Sequence, residues 1–129
     1  MSERRKLGIG LISVGWMGKV HSRAYADLIA NYPQIPVQPR FVIAADPEPS
    51  RQEFAKQALG YEAATADYMD VLRNPNVDVV SICSPNFLHK EIALAAIAHG
   101  KHVWLEKPAG RGVEETREIA EAAAAAGVK

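Results

Sequence analysis

The sequence has little cysteine, no surplus of charge and no long apolar run. Its 129 residues include one cysteine, Cys83, which has no partner for an internal disulfide bond and therefore suits a reducing compartment such as the cytoplasm. The 15 basic and 15 acidic side chains cancel, so the charge balance does not favour a nucleic-acid partner. No stretch approaches the ~20 apolar residues of a membrane span, and the short apolar run near the N-terminus lacks the cleavage site of a signal peptide. We therefore expect neither nucleic acid nor a membrane among the partners.

Metal ligands are also missing from the pattern. The chain has four histidines, and no set of cysteine, histidine and acidic residues has the spacing of a metal site. The sequence does have an ordinary globular composition, 48% hydrophobic and 23% charged. A length of 129 residues favours one domain with a core of its own. We expect a single domain, residues 1–129, without a metal ion.

Short apolar runs alternate with helical patterns along the chain. Strands are predicted at 7–13, 40–45, 61–65, 77–83 and 101–105, and helices from the first turn to about residue 30 and at 48–59, 67–72, 87–99 and 113–126. Three prolines predict a loop over 32–39, and Asp67 and Asn86 are predicted helix N-caps. Strands that alternate with helices predict an α/β fold of the Rossmann type, a doubly wound parallel sheet with helices on both faces.

Four short segments lie where predicted strands end. They are 13–18, Asp46, 84–86 and 106–108. In open α/β sheets, ligands bind outside the carboxyl ends of the strands. Because all four segments fall at this edge, together they predict a ligand site more strongly than any one of them does.

The first segment is a glycine turn between a strand and a helix. Ser13-x-Gly15-x-x-Gly18 follows the spacing of the dinucleotide-binding fingerprint, with serine in place of the first glycine. Gly15 would let a pyrophosphate approach the unpaired N–H groups of the helix, beside Trp16 and Met17. Gly18 would let the helix pack closely on the strand, and Ser13 can make the turn if its φ stays negative. A glycine motif by itself is equally consistent with an ordinary turn.

The second segment is an acidic residue, Asp46, at the end of the second predicted strand. A carboxylate there can accept both hydrogen bonds of an adenosine ribose diol and would repel a 2′-phosphate, which favours NAD over NADP. Asp46 precedes Pro47, so it is also a candidate helix N-cap. Arg51 is near enough in sequence to stack on an adenine or to meet a 2′-phosphate, and this keeps NADP as the less favoured cofactor.

Several motifs together resemble one known family. They are Gly15-Trp16-Met17-Gly18-x-x-His21, Val77-Asp78-x-Val80 followed by Ser84-Pro85-Asn86-x-x-His89, then Gly100-Lys101-His102-Val103 and Glu106-Lys107-Pro108. In this order and spacing the chain resembles the N-terminal domain of the glucose–fructose oxidoreductase, inositol dehydrogenase and rhizopine-catabolism (Gfo/Idh/MocA) family. The resemblance covers nearly the whole chain, from Leu7 to Val128.

The resemblance implies NAD(P)-dependent oxidation of a secondary hydroxyl group on a sugar or cyclitol. Lys107 would point at the substrate hydroxyl beside the nicotinamide, where a cation stabilises developing negative charge on oxygen. The Lys107-Pro108 peptide bond is often cis in the family. Glu106 would hold Lys107 and the nicotinamide ribose region.

The family motif that follows the fourth predicted strand implies further contacts with the cofactor. Ser84, Pro85 and Asn86 would line its nicotinamide end. His89 is either a cofactor contact or a structural histidine on its helix. For His21, packing under the glycine turn is the favoured interpretation.

The sequence departs from the family pattern at Ser13 and in residues 109–112. In the family a second α/β domain follows, with the substrate pocket and the histidine that acts as general base, and these residues have no counterpart of it. The resemblance therefore implies the cofactor-binding half of an enzyme that is a homo-oligomer when complete. We expect the 129 residues to bind NAD without turning over a sugar. Two alternatives stay open, a non-catalytic NAD(P)-binding sensor of the same family and a methyltransferase that uses S-adenosylmethionine on the same architecture.

Overall fold

Five parallel strands form one sheet at the centre of the molecule. The structure is a computed structural model and describes residues 3–129. The strands are β1 (Arg5–Ile12), β2 (Val37–Ala45), β3 (Ala63–Thr65), β4 (Val79–Ile82) and β5 (His102–Leu105). The helices are α1 (Trp16–Ala26), α2 (Leu28–Asn31), α3 (Pro49–Gln57), α4 (Tyr68–Arg73), α5 (His89–Ala98) and α6 (Val113–Ala126), with a 3₁₀ turn at Asn86–Leu88. The strand order is β3-β2-β1-β4-β5, so the chain starts in the centre and winds outward in both directions.

Two apolar clusters lie on opposite faces of the sheet. Tyr25 of α1 and Ala55 of α3 pack with Ile9 and Leu11 of β1 on one face. The other cluster joins the sheet to α4, α5 and α6. Helices therefore cover both faces, and the predicted doubly wound Rossmann-type fold is confirmed.

Two glycines inside β1 lie where helix and loop come close to the sheet. A Cβ on Gly10 would lie 2.5 Å from a methyl carbon of Val71 in α4, and a Cβ on Gly8 would overlap the carbonyl oxygen of Asn76. These glycines serve packing within the strand, whereas the turn to α1 begins after Ile12.

The second strand begins earlier than the sequence indicates. The predicted loop over 32–39 is wrong at its end, because β2 starts at Val37 and includes Pro39. β3 pairs only with Ile43–Ala45, so within residues 3–129 the outer edge of β2 at Pro39 has no neighbouring strand that would need a backbone donor. A proline is tolerated at such an edge.

The helices differ from the prediction at their starts and ends. The first helix ends at Ala26, and Asp27 separates it from the short helix α2, whereas one helix to about residue 30 was predicted. Asp67 is the N-cap of α4 as predicted, and its Oδ1 accepts from the N–H of Met69 at 2.9 Å. Asn86 is not an N-cap: it lies inside the 3₁₀ turn, and its side chain reaches across to the loop after β5. In residues 3–129 none of the helices combines the length and the apolar character that crossing a membrane requires.

Candidate functional site

The predicted segments meet at the carboxyl edge of the sheet. The parallel pairing of β1 with β2 and β4, and of β4 with β5, brings the ends of these four strands to one edge. A cavity of about 340 Å³ opens there. Of the predicted site residues, its wall contains Ser13, Asp46, Arg51, Ser84 and Pro85, joined by apolar side chains such as Leu88 and Ile92. The glycines of the turn and the loop 106–108 lie outside this wall.

The turn into α1 leaves its helix N-terminus open. Gly15 is the N-cap residue and no side chain caps the helix. A Cβ on Gly15 would meet nothing within 4 Å, so there is open space beside this residue. The N–H groups of a first helical turn lack intrahelical partners and suit a ligand with negative charge. Trp16, which begins α1, is 76% exposed beside that space, and Met17 follows it, half-buried. A Cβ on Gly18 would overlap the carbonyl oxygen of Ser13, so the helix comes as close to the turn as predicted.

Ser13 differs from the prediction in its backbone. A negative φ was expected, but φ is +76°, in the left-handed region that glycine adopts without penalty. For a residue with a Cβ this conformation costs about 1–2 kcal/mol. The Ser13 N–H donates to the carbonyl oxygen of Ala45 at 2.8 Å and so fixes the turn on β2. Ser13 therefore takes the conformation that a glycine would take at the first position of the motif.

Asp46 joins the first turn to the chain after β2. Its Oδ2 accepts from the N–H of Val14 at 2.9 Å, and its Oδ1 accepts from the N–H of Glu48 at 3.0 Å. The N-cap residue of α3 is Glu48, so Asp46 stands next to the helix start without being its N-cap. Arg51 Nη1 lies 3.6 Å from Oδ2. A carboxylate has about four acceptor positions, so two backbone bonds leave Asp46 with capacity for further donors.

Ser84 carries a polar atom without a partner. Among residues 3–129, its Oγ is the buried side-chain atom that makes no hydrogen bond. Leaving a buried hydroxyl unpaired costs about 1–3 kcal/mol. Ser84 also contributes to the wall of the cavity, so a ligand there would lie next to this residue. The unpaired hydroxyl and the open helix N-terminus both fit a dinucleotide.

The loop after β5 is tied to the end of β4. The Lys107-Pro108 peptide bond is cis, as the resemblance implied. Asn86 Nδ2 donates to the carbonyl oxygen of Pro108 at 2.7 Å. His89 Nδ1 lies 2.9 Å from the same oxygen, and its Nε2 lies 2.8 Å from the carbonyl oxygen of Ser84.

These contacts favour the structural interpretation of His89. The side chain is 1% exposed, and both ring nitrogens face protein oxygens. Both ring nitrogens of His89 are therefore engaged within the protein, and the ring holds the loop that carries Lys107. The contact between His89 and a cofactor stays a prediction. The Lys107 side chain itself is exposed at the edge of the sheet.

His21 makes contacts that the sequence did not indicate. Packing under the glycine turn was expected, but Nε2 of the buried ring lies 3.0 Å from Glu106 Oε2 and Nδ1 lies 3.1 Å from Ser81 Oγ. The hydrogen bond from His21, together with the N–H of Lys107, holds the pKa of Glu106 below its ordinary value. One signal could have suggested this contact, since Ser81 is a hydroxyl in the middle of the apolar strand β4.

Side chains that bind metal ions are not gathered at this edge of the sheet within residues 3–129. Throughout the part of the chain that the structure describes, no group of three or more histidine, cysteine, aspartate or glutamate side chains is arranged to hold a metal ion. An open glycine turn, an acidic residue after β2 and a lysine after β5 on a doubly wound sheet define a dinucleotide-binding domain.

Comparison with known proteins identifies the family. The profile described as oxidoreductase family, NAD-binding Rossmann fold (GFO_IDH_MocA), matches residues 7–129. The levoglucosan dehydrogenase of Pseudarthrobacter phenanthrenivorans is 38% identical over 118 residues, which are 92% of this chain and 30% of that protein. The chain belongs to the Gfo/Idh/MocA family of oxidoreductases, with its NAD-binding Rossmann fold.

Solved structures agree with this assignment. The crystal structure of an NAD binding oxidoreductase from Klebsiella pneumoniae superimposes with a TM-score of 0.89 at 44% identity, over 96% of this chain and 33% of that one. A levoglucosan dehydrogenase in complex with NADH and levoglucosan gives a TM-score of 0.90 at 36% identity, over 96% of this chain and 34% of that one. The chain thus spans about a third of the length of the proteins it matches.

Proposed function

We propose that these residues are the NAD-binding half of a dehydrogenase that oxidises a secondary hydroxyl group of a sugar or cyclitol. One observation carries the proposal: the loop that presents Lys107 is tied by Asn86 and His89 to the strand end that lines the cavity. This arrangement puts a cationic donor at the edge of a dinucleotide site. The relative solved with NADH and levoglucosan supports a sugar as the substrate class.

Some residues of this chain bind the cofactor, and Lys107 stabilises charge on the substrate. The first-turn N–H groups behind Gly15 receive the pyrophosphate, and Ser84 Oγ donates to a polar group of the cofactor. Bound NAD supplies the hydride acceptor. The Lys107 ammonium group donates to the substrate hydroxyl and stabilises the negative charge that develops on its oxygen.

NAD is the proposed cofactor rather than NADP because of the charge at Asp46. This carboxylate is 2% exposed, so water screens it poorly, and a 2′-phosphate beside it would be repelled. Arg51 stands 3.6 Å away and offers the opposite charge, so the balance between the two side chains decides the preference.

The proposal extends to the whole protein. A second α/β region, which would make up the remaining length of the relatives, would supply the substrate pocket and the general base, and the complete enzyme would be a homo-oligomer. With Cys83 free, the protein suits a reducing compartment such as the cytoplasm.

Titration with NADH and NADPH tests the cofactor site. Energy transfer from Trp16 to NADH should appear at micromolar concentration and be weaker with NADPH. The Trp16→Phe variant is the control, because it keeps Trp104 but should lose most of the signal. A folded chain that responds to neither nucleotide contradicts the site, and tighter binding of NADPH would assign Arg51 to a 2′-phosphate. S-adenosylmethionine should not displace NADH, and displacement would favour the methyltransferase alternative.

A further inference from the structure

We propose that His21 is a positioning residue: its Nε2 holds the Glu106 carboxylate in place, and Glu106 in turn holds the backbone of Lys107. This inference rests on the proposed function, because Lys107 is the group that would meet the substrate. It assigns a role in the nicotinamide half of the site to a residue of α1.

The Glu106 carboxylate connects α1 to the loop that carries Lys107. Oε2 lies 3.0 Å from His21 Nε2, while Oε1 accepts from the N–H of Lys107 at 3.1 Å. Both carboxylate oxygens are thus engaged, one by a side chain of α1 and one by the peptide group that begins the loop. The orientation of the carboxylate depends on both bonds.

The direction of the hydrogen bonds follows from the chemistry of the partners. An ionised carboxylate only accepts, so His21 Nε2 must carry a hydrogen. In the neutral ring Nδ1 then accepts from the hydroxyl of Ser81, and Ser81 Oγ accepts from the hydroxyl of Tyr25 at 3.2 Å. If the ring takes up a second proton, the Ser81 hydroxyl can turn and accept instead. The bond to Glu106 is the same in both states.

The plane of the ring is fixed as well. Trp104 of β5 stacks on His21 with ring centroids 3.8 Å apart and an angle of 20°. Tyr25 meets Trp104 edge-on at 5.3 Å. His21 is 2% exposed, so water does not compete for its nitrogens. The ring plane that Trp104 sets directs Nε2 at Glu106 and Nδ1 at Ser81.

The consequence is that one helix serves both parts of the site. The N-terminus of α1 begins at the open glycine turn, and His21 lies in the same helix. Loss of the His21 bond should therefore free the Glu106 carboxylate and loosen the start of the Lys107 loop, while the turn that receives the pyrophosphate keeps its shape.

Amide hydrogen exchange at Lys107 tests this role in the folded chain. In His21→Leu, which removes the donor, protection of the Lys107 N–H should fall about ten-fold, the factor expected for one hydrogen bond of ordinary strength. His21→Gln, whose amide can donate to Glu106, should restore most of the protection. Unchanged protection in His21→Leu would overturn the proposal. Equal losses at all core amides in both variants would also overturn it, because they would assign His21 to packing alone.

A second measurement decides the matter if His21→Leu does not fold. Nitrogen NMR of the histidine rings should show His21 protonated at Nε2 in the native chain. In Glu106→Gln, a shift of the ring hydrogen to Nδ1 is expected, since the new amide can donate to Nε2. A ring whose signals do not respond contradicts the contact. These readouts need no nucleotide, so a failure to bind NADH would count against the proposed function and not against the role of His21.

Discussion

The two halves of the carboxyl edge differ in how far the protein satisfies its own polar groups. In the half formed by β1, β2 and the end of β4, the described residues 3–129 offer Ser84 Oγ no hydrogen-bond partner and α1 no side-chain cap, and Arg51 stands 3.6 Å from Asp46. In the half centred on the loop after β5, three side chains from α1, the 3₁₀ turn and α5 make close hydrogen bonds within the protein: His21, Asn86 and His89. The first half leaves polar capacity for a ligand, whereas the second is held in shape without one.

The two buried histidines of the second half differ in one respect. His21 lies between a carboxylate and the hydroxyl of Ser81, which can donate or accept, so a neutral ring satisfies both contacts. His89 lies between two carbonyl oxygens, which only accept, so both contacts are served only when both ring nitrogens carry hydrogen. A hydroxyl partner therefore lets a buried histidine keep its contacts in either protonation state.

The largest effect should follow from His89→Leu. This change removes both ring contacts to the carbonyl oxygens of Ser84 and Pro108, of which only Pro108 keeps the bond from Asn86. We expect the free energy of unfolding to fall by about 3 kcal/mol. Chemical denaturation without nucleotide measures it. His99→Leu is the matched control, because His99 is exposed at the other end of α5 and should matter by less than ~0.5 kcal/mol. If both variants lower the free energy of unfolding by similar amounts, His89 does not hold the second half of the edge in shape.

The next effect is the pH dependence that His21 confers through Glu106. Because the folded state holds the pKa of Glu106 below its ordinary value, the stabilisation is present above that value, ~4.3 in unfolded chains, and is lost as the pH falls through the folded pKa. At pH 7, His21→Leu should lower the free energy of unfolding by about 1–2 kcal/mol relative to His21→Gln. Urea denaturation between pH 3 and pH 7 measures the difference. A gap between the variants that stays constant to the lowest pH would contradict the ion–hydrogen-bond origin.

In the first half, Asp46→Asn should change the choice of nucleotide. Removal of the buried charge beside Arg51 should raise the affinity for NADPH relative to NADH about ten-fold, a change of ~1.4 kcal/mol. Parallel titrations of both nucleotides measure the ratio. Glu53→Gln removes an exposed charge of α3 that is not in the cavity wall and should leave the ratio within about two-fold. If the two variants behave alike, general charge and not the Asp46 site sets the preference.

The smallest effects on stability are expected for two nearby serines, Ser81 and Ser84, and these effects should differ in direction. Ser84→Ala removes an unpaired buried hydroxyl. Without nucleotide, the free energy of unfolding should therefore stay the same or rise by up to ~1 kcal/mol, while NADH should bind several-fold more weakly. Ser81→Ala removes a hydroxyl that is hydrogen-bonded to His21 and Tyr25, so the free energy of unfolding should fall by about 1 kcal/mol. Thermal unfolding and NADH titration of both variants test the pair. A destabilised Ser84→Ala would mean that its hydroxyl already has a role without ligand.

Much of the architecture could be read from local patterns. The alternation of apolar runs and helical stretches predicted the sheet, and α6 begins and ends at the expected residues, with Gly127 at φ +70° after it. Asp67 caps its helix as expected because a cap depends on neighbours two or three residues away. Gly8 and Gly10 lie in β1, within the strand predicted over 7–13, because that prediction needed only the local apolar run.

Other features depended on partners distant in sequence. Pro39 could join β2 because β3 is too short to face it, which no local pattern indicates. The sequence predicted Asn86 as a helix N-cap, but its side chain donates instead to the carbonyl oxygen of Pro108 across the edge of the sheet. In both cases a tertiary contact overrode a local preference.

The sequence by itself determined the class of fold, the edge at which the site lies and the residue types gathered there, because periodicity and spacing act over a few residues. Only the tertiary structure decided which of those residues remain available to a ligand. Both ring nitrogens of His89 contact backbone oxygens, Ser84 Oγ has no partner among residues 3–129, and His21 contacts Glu106. The physical reason is that hydrogen-bond satisfaction depends on distances between atoms of different elements, which are set when the sheet and its helices pack together.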